Sequence, residues 1–435
     1  MPDFLPFCGY RFSPDLENRF SQILAPPYDK ISAKDLPVLW ESDPFNCARL
    51  ILPPPDVANG DFATQSATQR TTDWYSGARS FLDEWISKGI LRRDDPSYYF
   101  YRQDFLLDGS MHSRWGVIGT LALKDDDETL LHERTFEGPK ADRFQLLKET
   151  QANLCSIFAV ATDPKRTLIR IAEGLSDPAV DCHTPDGIRH RVYFVTDQET
   201  IQATQEAFKT CTLMIADGHH RYETARNYRA WARENLDPSC WPATDGVMVY
   251  ACPIEQEGLV VLPTHRMIRD LSDCWLDCLA QHPGISSHEA SGGLDDLLRD
   301  LHARPGNEVA VGATDGTRFV LLVRKGDADP ELYRDVHPAL RDLDVTFVHH
   351  MILKVVLEVD EMKTGRMSYF RNPQEALDRV IETPRSGALF LRPPRADQVM
   401  SVSQSGERMP QKSTDFFPKI PTGLVIRLLR EPSDR

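Results

Sequence analysis

The 435-residue sequence has no uninterrupted apolar stretch near the roughly 20 residues that a helix needs to cross a bilayer. It has no Cys-x-x-Cys pair, no Gly-x4-Gly-Lys phosphate loop, no internal repeat and no low-complexity linker. Its N-terminus does not set a charged segment before an apolar one, so a secretory leader is not expected. Basic residues are also in short supply: 50 Lys and Arg against 65 Asp and Glu give a formal net charge of -15. Nucleic acid and anionic membranes would repel such a surface at long range, so neither is an expected partner. A basic site on this chain has to be small and preformed.

What is present suits an ordinary globular protein. Hydrophobic residues make up 41% and charged residues 26%, enough for a sizeable core. The length exceeds what one core usually supports and points to two or three packed units. Nine cysteines are scattered without metal-site spacing, which suits reduced thiols and a cytoplasmic setting. Cys274 and Cys278 lie one helical turn apart without His or Cys neighbours, so they are expected to pack in a core rather than bind zinc.

Along the chain, Ala25-Pro26-Pro27-Tyr28-Asp29 reads as a stiff loop presenting Asp29, because two prolines fix an extended backbone. Ala48 to Leu52 reads as a buried strand, and Trp74, Phe81 and Trp85 as the core face of a helix over Thr68 to Lys88. Tyr98 to Leu107 and Arg114 to Leu123 read as a hairpin. Leu130 to Arg143 shows neither helical nor strand period, and a short helix is expected over Phe144 to Asn153. Beyond residue 265, helices and strands alternate, including a helix over Val345 to Leu357 in which His349 and His350 pack or cap. The division expected is a core over residues 1–265 and a C-terminal α/β unit over 266–435 whose last segment returns to the site.

The chemistry concentrates at Thr212 to Ala216 followed by Asp217-Gly218-His219-His220-Arg221 and a helical pattern, that is, a strand, a tight turn and a helix start. Gly218 permits a backbone that side-chained residues resist, and the opening helix turns amide donors and its positive dipole end toward an anion above the turn. Arg221 can grip phosphate with two donors, and His219 and His220 can donate hydrogen bonds or move protons. Asp217 can orient a histidine or hold Mg²⁺. The alternative is that Asp217 caps the helix and the histidines fill polar space. A shared zinc site is awkward, because adjacent residues at a helix start diverge by about 100°.

A second cluster is His132-Glu133-Arg134-Thr135 with Gly138-Pro139-Lys140-Ala141-Asp142-Arg143. Its cations suit an anionic ligand and Glu133 can serve as base or metal ligand, although a solvated charged loop reads the same way. A third runs from Gly406 to Thr414 and on to Phe416-Phe417-Pro418-Lys419, with Lys412, Ser413 and Thr414 able to close over a ligand. Pro263-Thr264-His265-Arg266 could reach the same site from a strand end.

Together, Ala25 to Asp29, His132 to Thr135 with Gly138 to Arg143, Ile215 to Ala225, Leu262 to Arg266 and Gly406 to Thr414 resemble the signature blocks of the DUF1015 family, over about Phe7 to Val425. The central turn is similar to that of the ParB and sulfiredoxin-like superfamily, which includes free-serine kinases. That resemblance implies a mixed α/β fold: a ParB/sulfiredoxin-like nucleotide-binding core with large insertions and a C-terminal α/β unit. It implies phosphate-binding roles for His219, His220 and Arg221 and an acid role for Asp217. The residues' own chemistry adds Gly218, Arg134, Lys140, Arg143, His265, Arg266, Lys412 and Ser413 as phosphate-binding candidates, His219 and His220 as catalytic candidates beside Asp217, Glu133 or Asp29 as the base, and Asp217 and Glu133 as Mg²⁺ ligands. The expected activity is a kinase that moves phosphate from ATP or ADP to a small hydroxylated metabolite, with free serine the first candidate. A nucleotide-binding switch without transfer and a metal-dependent phosphohydrolase are the alternatives, and a homodimer is left open. Sulfiredoxin places a cysteine in its turn where this chain has His219, which argues against sulfinic acid repair.

Overall fold

The computed structural model describes residues 2–56, 73–125, 129–132, 137–326, 331–359, 365–410 and 412–430. Its fold is mixed α/β and divides into two compact units, one formed by Met1–Leu131, Thr135–Leu259 and Pro418–Arg435, the other by His132–Arg134 and Val260–Phe417.

The first unit is built on a nine-stranded mixed sheet. The long hairpin Tyr98–Leu107 and Ser110–Ala122 forms because Asp108 and Gly109 both take the left-handed backbone that a tight turn needs. Gly246–Pro253 pairs beside it antiparallel, then Ile157–Ala161 runs parallel to Gly246–Pro253, and Leu213–Asp217 lies antiparallel to Ile157–Ala161. Leu130–Leu131 completes that edge as a parallel neighbour. Fully apolar inner positions such as Phe100, Val117, Ile157, Ala159, Val249 and Ile215 make the core, against helix residues Phe208, Tyr222 and Ala225.

Two local readings are corrected. Ala48–Ile51 is a helical turn rather than a strand, because the Asn46 carboxamide accepts from the Ala48 amide at 2.8 Å and starts the turn. A short apolar run alone does not separate a strand from a buried helix. The stretch read as aperiodic contains the start of a helix, Glu137–Thr150, which the Lys140–Glu223 ion pair and the Tyr75–Asp142 hydrogen bond support in place of an apolar stripe. The helix around Trp74 is described from Asp73 to Ser87, with Trp74 and Trp85 buried and Phe81 half-buried.

The last segment is threaded through the first unit. Thr422 exchanges backbone hydrogen bonds with Ala25, Ile426 with Tyr10, and Arg427–Leu428 pairs with Ala152–Asn153. The buried Arg114 guanidinium donates to the Pro418 carbonyl and the Gln103 carboxamide donates to the Lys419 carbonyl at 3.1 Å, so the sheet itself fixes where Lys419 sits.

His190 is buried on this sheet between the Tyr101 hydroxyl at 2.6 Å and the Thr184 hydroxyl at 2.8 Å. Burial, reinforced by Arg114 and His183 against Asp186, holds its pKa down at about 4, below the ordinary 6.5. The folded state therefore resists the proton that the unfolded chain accepts. The contribution is complete above about pH 6.5 and is lost as pH falls toward 4. Urea midpoints measured from pH 7 to 4.5 should fall steadily in the wild type and less steeply in His190→Gln.

The second unit holds a six-stranded antiparallel sheet in the order Ile285–Glu289, Phe319–Arg324, Ala310–Thr314, Gly387–Phe390, His265–Ile268, Met367–Phe370. Gly293–His302 and Pro373–Glu382 lay Leu294, Leu297, Leu301, Ala376, Leu377 and Val380 on one face. The expected helix over Val345 to Leu357 is a short turn, Asp344–Thr346, followed by the π-helical Phe347–Val356. There the His350 ring contacts the Leu332 carbonyl and His349 lies 3.5 Å from the Arg266 guanidinium. Cys274 and Cys278 are exposed, their sulfurs 3.8 Å apart, because Trp275, Leu276 and Leu279 supply the buried face of their helix instead. Among the described residues no helix is long and apolar enough to cross a membrane.

Candidate functional site

Leu213–Asp217 pairs with Ile157–Ala161 through an irregularity that skips Ala216 and leaves Asp217 opposite Phe158 at the strand's carboxyl end. Gly218 follows at φ +89°, and the helix His219–Asn235 begins without a side-chain cap. This is the expected strand, turn and helix start, with the positive end of a long helix dipole beside Asp217.

Asp217 is enclosed by cations. Its Oδ1 accepts from Lys419 Nζ at 2.6 Å and its Oδ2 from Arg221 Nη2 at 2.9 Å, and the three side chains are 18%, 13% and 15% exposed. Burial alone would raise the Asp217 pKa. The charges of Lys419, Arg221 and Lys30 overcome that and hold it well below the carboxylate range. Asp217 is thus ionised at neutral pH, which suits electrostatic positioning and not proton donation.

Arg221 also donates through Nη1 to the Ser156 carbonyl at 2.6 Å, so its guanidinium is anchored on two sides. A Cβ at position 218 would lie 2.7 Å from Arg221 Nη2, so the glycine is required both by its backbone and by the guanidinium packed over it. Gly218→Ala should cost about 1–2 kcal/mol from the left-handed conformation alone. It should also displace Arg221 from Asp217. Urea unfolding and nucleotide titration calorimetry of this variant check both effects.

Around this turn the first unit gathers more charge. Lys140 pairs with Glu223 at 2.5 Å, joining the helices Glu137–Thr150 and His219–Asn235. Arg143 pairs with Asp142, donates to the Ile51 carbonyl at 2.9 Å and lies 4.2 Å from the Tyr28 ring centre. The Tyr75 hydroxyl donates to Asp142 at 2.8 Å. Asp29 is exposed on the short helix Tyr28–Lys30, and its charge is felt by Tyr28, Arg221 and Cys155. Burial raises the pKa of the Tyr28 hydroxyl and of the Cys155 thiol, so both stay protonated and neither serves as an anionic nucleophile. A cavity of about 70 Å³ lies against these groups, walled by Tyr28, Arg143, Cys155, Arg221 and Thr224 among apolar residues such as Leu147 and Val247.

His219 is buried and His220 half-buried. Glu133 and Arg134 lie outside the described residues. His265, Arg266, Lys412 and Ser413 belong to the second unit. There Arg266 donates to the Thr264 and Lys412 carbonyls, and Ser413 to the Pro410 carbonyl. Burial and Arg266 lower the His265 pKa to about 4, and its Nδ1 accepts from the Leu391 amide at 3.3 Å, which leaves the proton of a neutral ring on Nε2. His132 in the same unit shares a hydrogen bond with Thr414 at 2.8 Å.

No role was assigned from the sequence to Lys419, Lys30, Asp142 or Glu223, although Asp142 and Lys419 stand inside its charged clusters. Lys419 did stand at the end of the Phe416-Phe417-Pro418-Lys419 run, a signal that an apolar, proline-fixed segment delivers one cation. Its partner Asp217 is 202 positions away, a separation no local pattern bridges.

As for Mg²⁺, both Asp217 oxygens are held by cations, so Asp217 does not fit the ion as it stands, and Glu133 lies outside the described residues.

A family model described as a protein of unknown function, DUF1015, matches residues 4–346. Among solved structures, a mutant free serine kinase in complex with ADP is 12% identical with a TM-score of 0.35, over 69% of this chain and 87% of that one. A conserved hypothetical protein from Pyrococcus furiosus is 13% identical with a TM-score of 0.35, over 72% and 95%. C-terminally truncated SbnI from Staphylococcus aureus is 12% identical with a TM-score of 0.36, over 73% and 90%. A likeness this distant carries no argument about activity. No curated protein matches the sequence.

Proposed function

Because the chain belongs to the DUF1015 family, a family described only as of unknown function, we propose an activity from the site itself: a nucleotide-dependent phosphotransferase acting on a small hydroxylated metabolite, with free serine the first candidate. The observation that carries it is the uncapped helix start behind Gly218, beside an Asp217 held between Lys419 and Arg221. Helix N-termini and guanidiniums are the groups that meet phosphoryl oxygens elsewhere in proteins. In this reading the donor phosphates of ATP or ADP lie over Gly218, His219 and His220 donate to them, and Lys140, Arg143 and Arg221 offset their charge. The substrate hydroxyl attacks the terminal phosphorus, its proton passes to Asp29, and the nucleotide leaves one phosphate shorter. Glu133 is the other candidate for that base. Asp217 stays ionised and holds Lys419 and Arg221 in place. Membership of the ParB and sulfiredoxin-like superfamily and a cytoplasmic setting belong to the same proposal. No step above runs through a metal.

One observation favours a second reading, a nucleotide-dependent switch. Lys419 starts the segment that pairs with Ala25, Tyr10 and Asn153. A phosphate that drew Lys419 away from Asp217 would loosen that segment.

Incubating the purified protein with ATP or ADP, Mg²⁺ and a panel of hydroxylated metabolites including serine, followed by ³¹P NMR, separates the two. A new phosphomonoester signal is the expected result. Tight nucleotide binding with no turnover across the panel favours the switch, and neither binding nor turnover overturns both.

A further inference from the structure

The second unit contains a cavity of about 240 Å³ that the proposed reaction does not use. Its wall carries four arginines, Arg266, Arg304, Arg392 and Arg395, against two acids, Asp342 and Asp344. Glu308 and Asp397 pair with Arg304 and Arg395 beside this wall, so what the opening offers an anion is a set of convergent guanidinium donors rather than a net positive charge.

The four arginines are not equivalent. Arg392 is structural: it pairs with Asp344 at 2.8 Å and donates to the Arg304 and Pro305 carbonyls, both at 3.2 Å, which fixes the floor. Arg266 is buried at 1% exposure and oriented by the Thr264 and Lys412 carbonyls, so its position is set before a ligand arrives. Arg304 has Glu308 at 3.5 Å as its ion-pair partner, longer than a charge-assisted hydrogen bond. Arg395 stands at the rim, paired with Asp397 and more than half exposed. Gly306 leaves the wall open beside Arg395, whose Nη1 would lie 3.6 Å from a Cβ placed there. The buried Ser413 and the Gln398 side chain complete the polar lining.

We propose that this cavity is a second anion site, complete within the second unit, that binds a small phosphomonoester. A rigid buried guanidinium with two adaptable ones at the opening suits a group with three charged oxygens on a short polar body. The volume exceeds what a bare ion needs, since one water occupies roughly 10–15 Å³ on this measure. Two sequence blocks that the turn chemistry leaves unexplained, Thr264 to Arg266 and Lys412 to Ser413, meet at this wall. The proposal does not rest on phosphotransferase activity.

Titration calorimetry of the full-length protein with glycerol 3-phosphate, and separately with inorganic phosphate, tests it. Binding should be saturable and tighter for glycerol 3-phosphate, and should weaken at least tenfold in Arg304→Gln and in Arg395→Gln. Arg304→Lys, which keeps the charge, should recover part of the loss. Both arginines are partly exposed, so the variants should keep the wild-type circular dichroism spectrum. Lys140→Gln, which removes a cation beside the turn in the other unit, should bind glycerol 3-phosphate like wild type. No binding, binding that survives both arginine variants, or binding lost in Lys140→Gln would overturn the proposal. A phosphotransferase that proves inactive would leave these titrations unaffected.

Discussion

Asp217→Asn should destabilise the protein by about 3 kcal/mol in urea unfolding, because removing one member of a mostly buried ion cluster leaves its cations uncompensated. Lys419 and Arg221 would then face a neutral amide in a site where each side chain is less than a fifth exposed. Adding Lys419→Met should recover part of that stability, since it removes one of the two stranded cations while Arg221 keeps the Ser156 carbonyl. Nucleotide turnover should not return, because the double variant lacks the groups that position the phosphates. Acid sensitivity carries a second signature. The Asp217 pKa is depressed in the folded state, so its contribution is complete above about pH 4 and is lost as pH falls toward the folded value. Asp217→Asn should therefore lose less stability than wild type between pH 5 and 3. An unchanged urea midpoint at pH 7 would show that Lys419 and Arg221 do not depend on this carboxylate.

Asp29→Asn should lower turnover by about 10²–10⁴-fold while leaving nucleotide affinity within about twofold, the pattern of a lost general base rather than a lost binding group. Asp29 is exposed at the end of a proline-fixed loop, so the substitution should leave the urea midpoint unchanged. Steady-state kinetics beside calorimetry read both quantities. Full activity in Asp29→Asn would move the role to Glu133, and Glu133→Gln would then be the variant with the large loss.

How far the sequence revealed this depends on which interactions are local. The strand into Asp217 and the helix from His219 were legible because an apolar run, a glycine and a long polar-faced segment follow one another within about 25 residues. The Tyr98 to Ala122 hairpin was legible from its Asp-Gly turn. Ala48–Ile51 was misread because the Asn46 side chain, not the apolar run, decides its backbone. Glu137–Thr150 was missed at its start because Lys140 and Asp142 are held by Glu223, Arg143 and Tyr75 from elsewhere or alongside, not by an apolar stripe. Cys274 and Cys278 were expected inside because their spacing is helical, yet the same spacing serves an exposed face equally well. At the site, the turn's own residues were readable one by one. The enclosure of Asp217 was not, since Lys419 arrives on a segment fixed by Gln103, Arg114, Ala25 and Asn153.

The central claim is that phosphoryl oxygens bind over Gly218, and a crystal structure of the full chain grown with ADP tests it most directly. The terminal phosphate should lie within hydrogen-bond distance of the His219 and His220 amides, with Lys419 or Arg221 reoriented toward it. ADP bound away from this turn, with the Lys419–Asp217–Arg221 cluster unchanged, would contradict it.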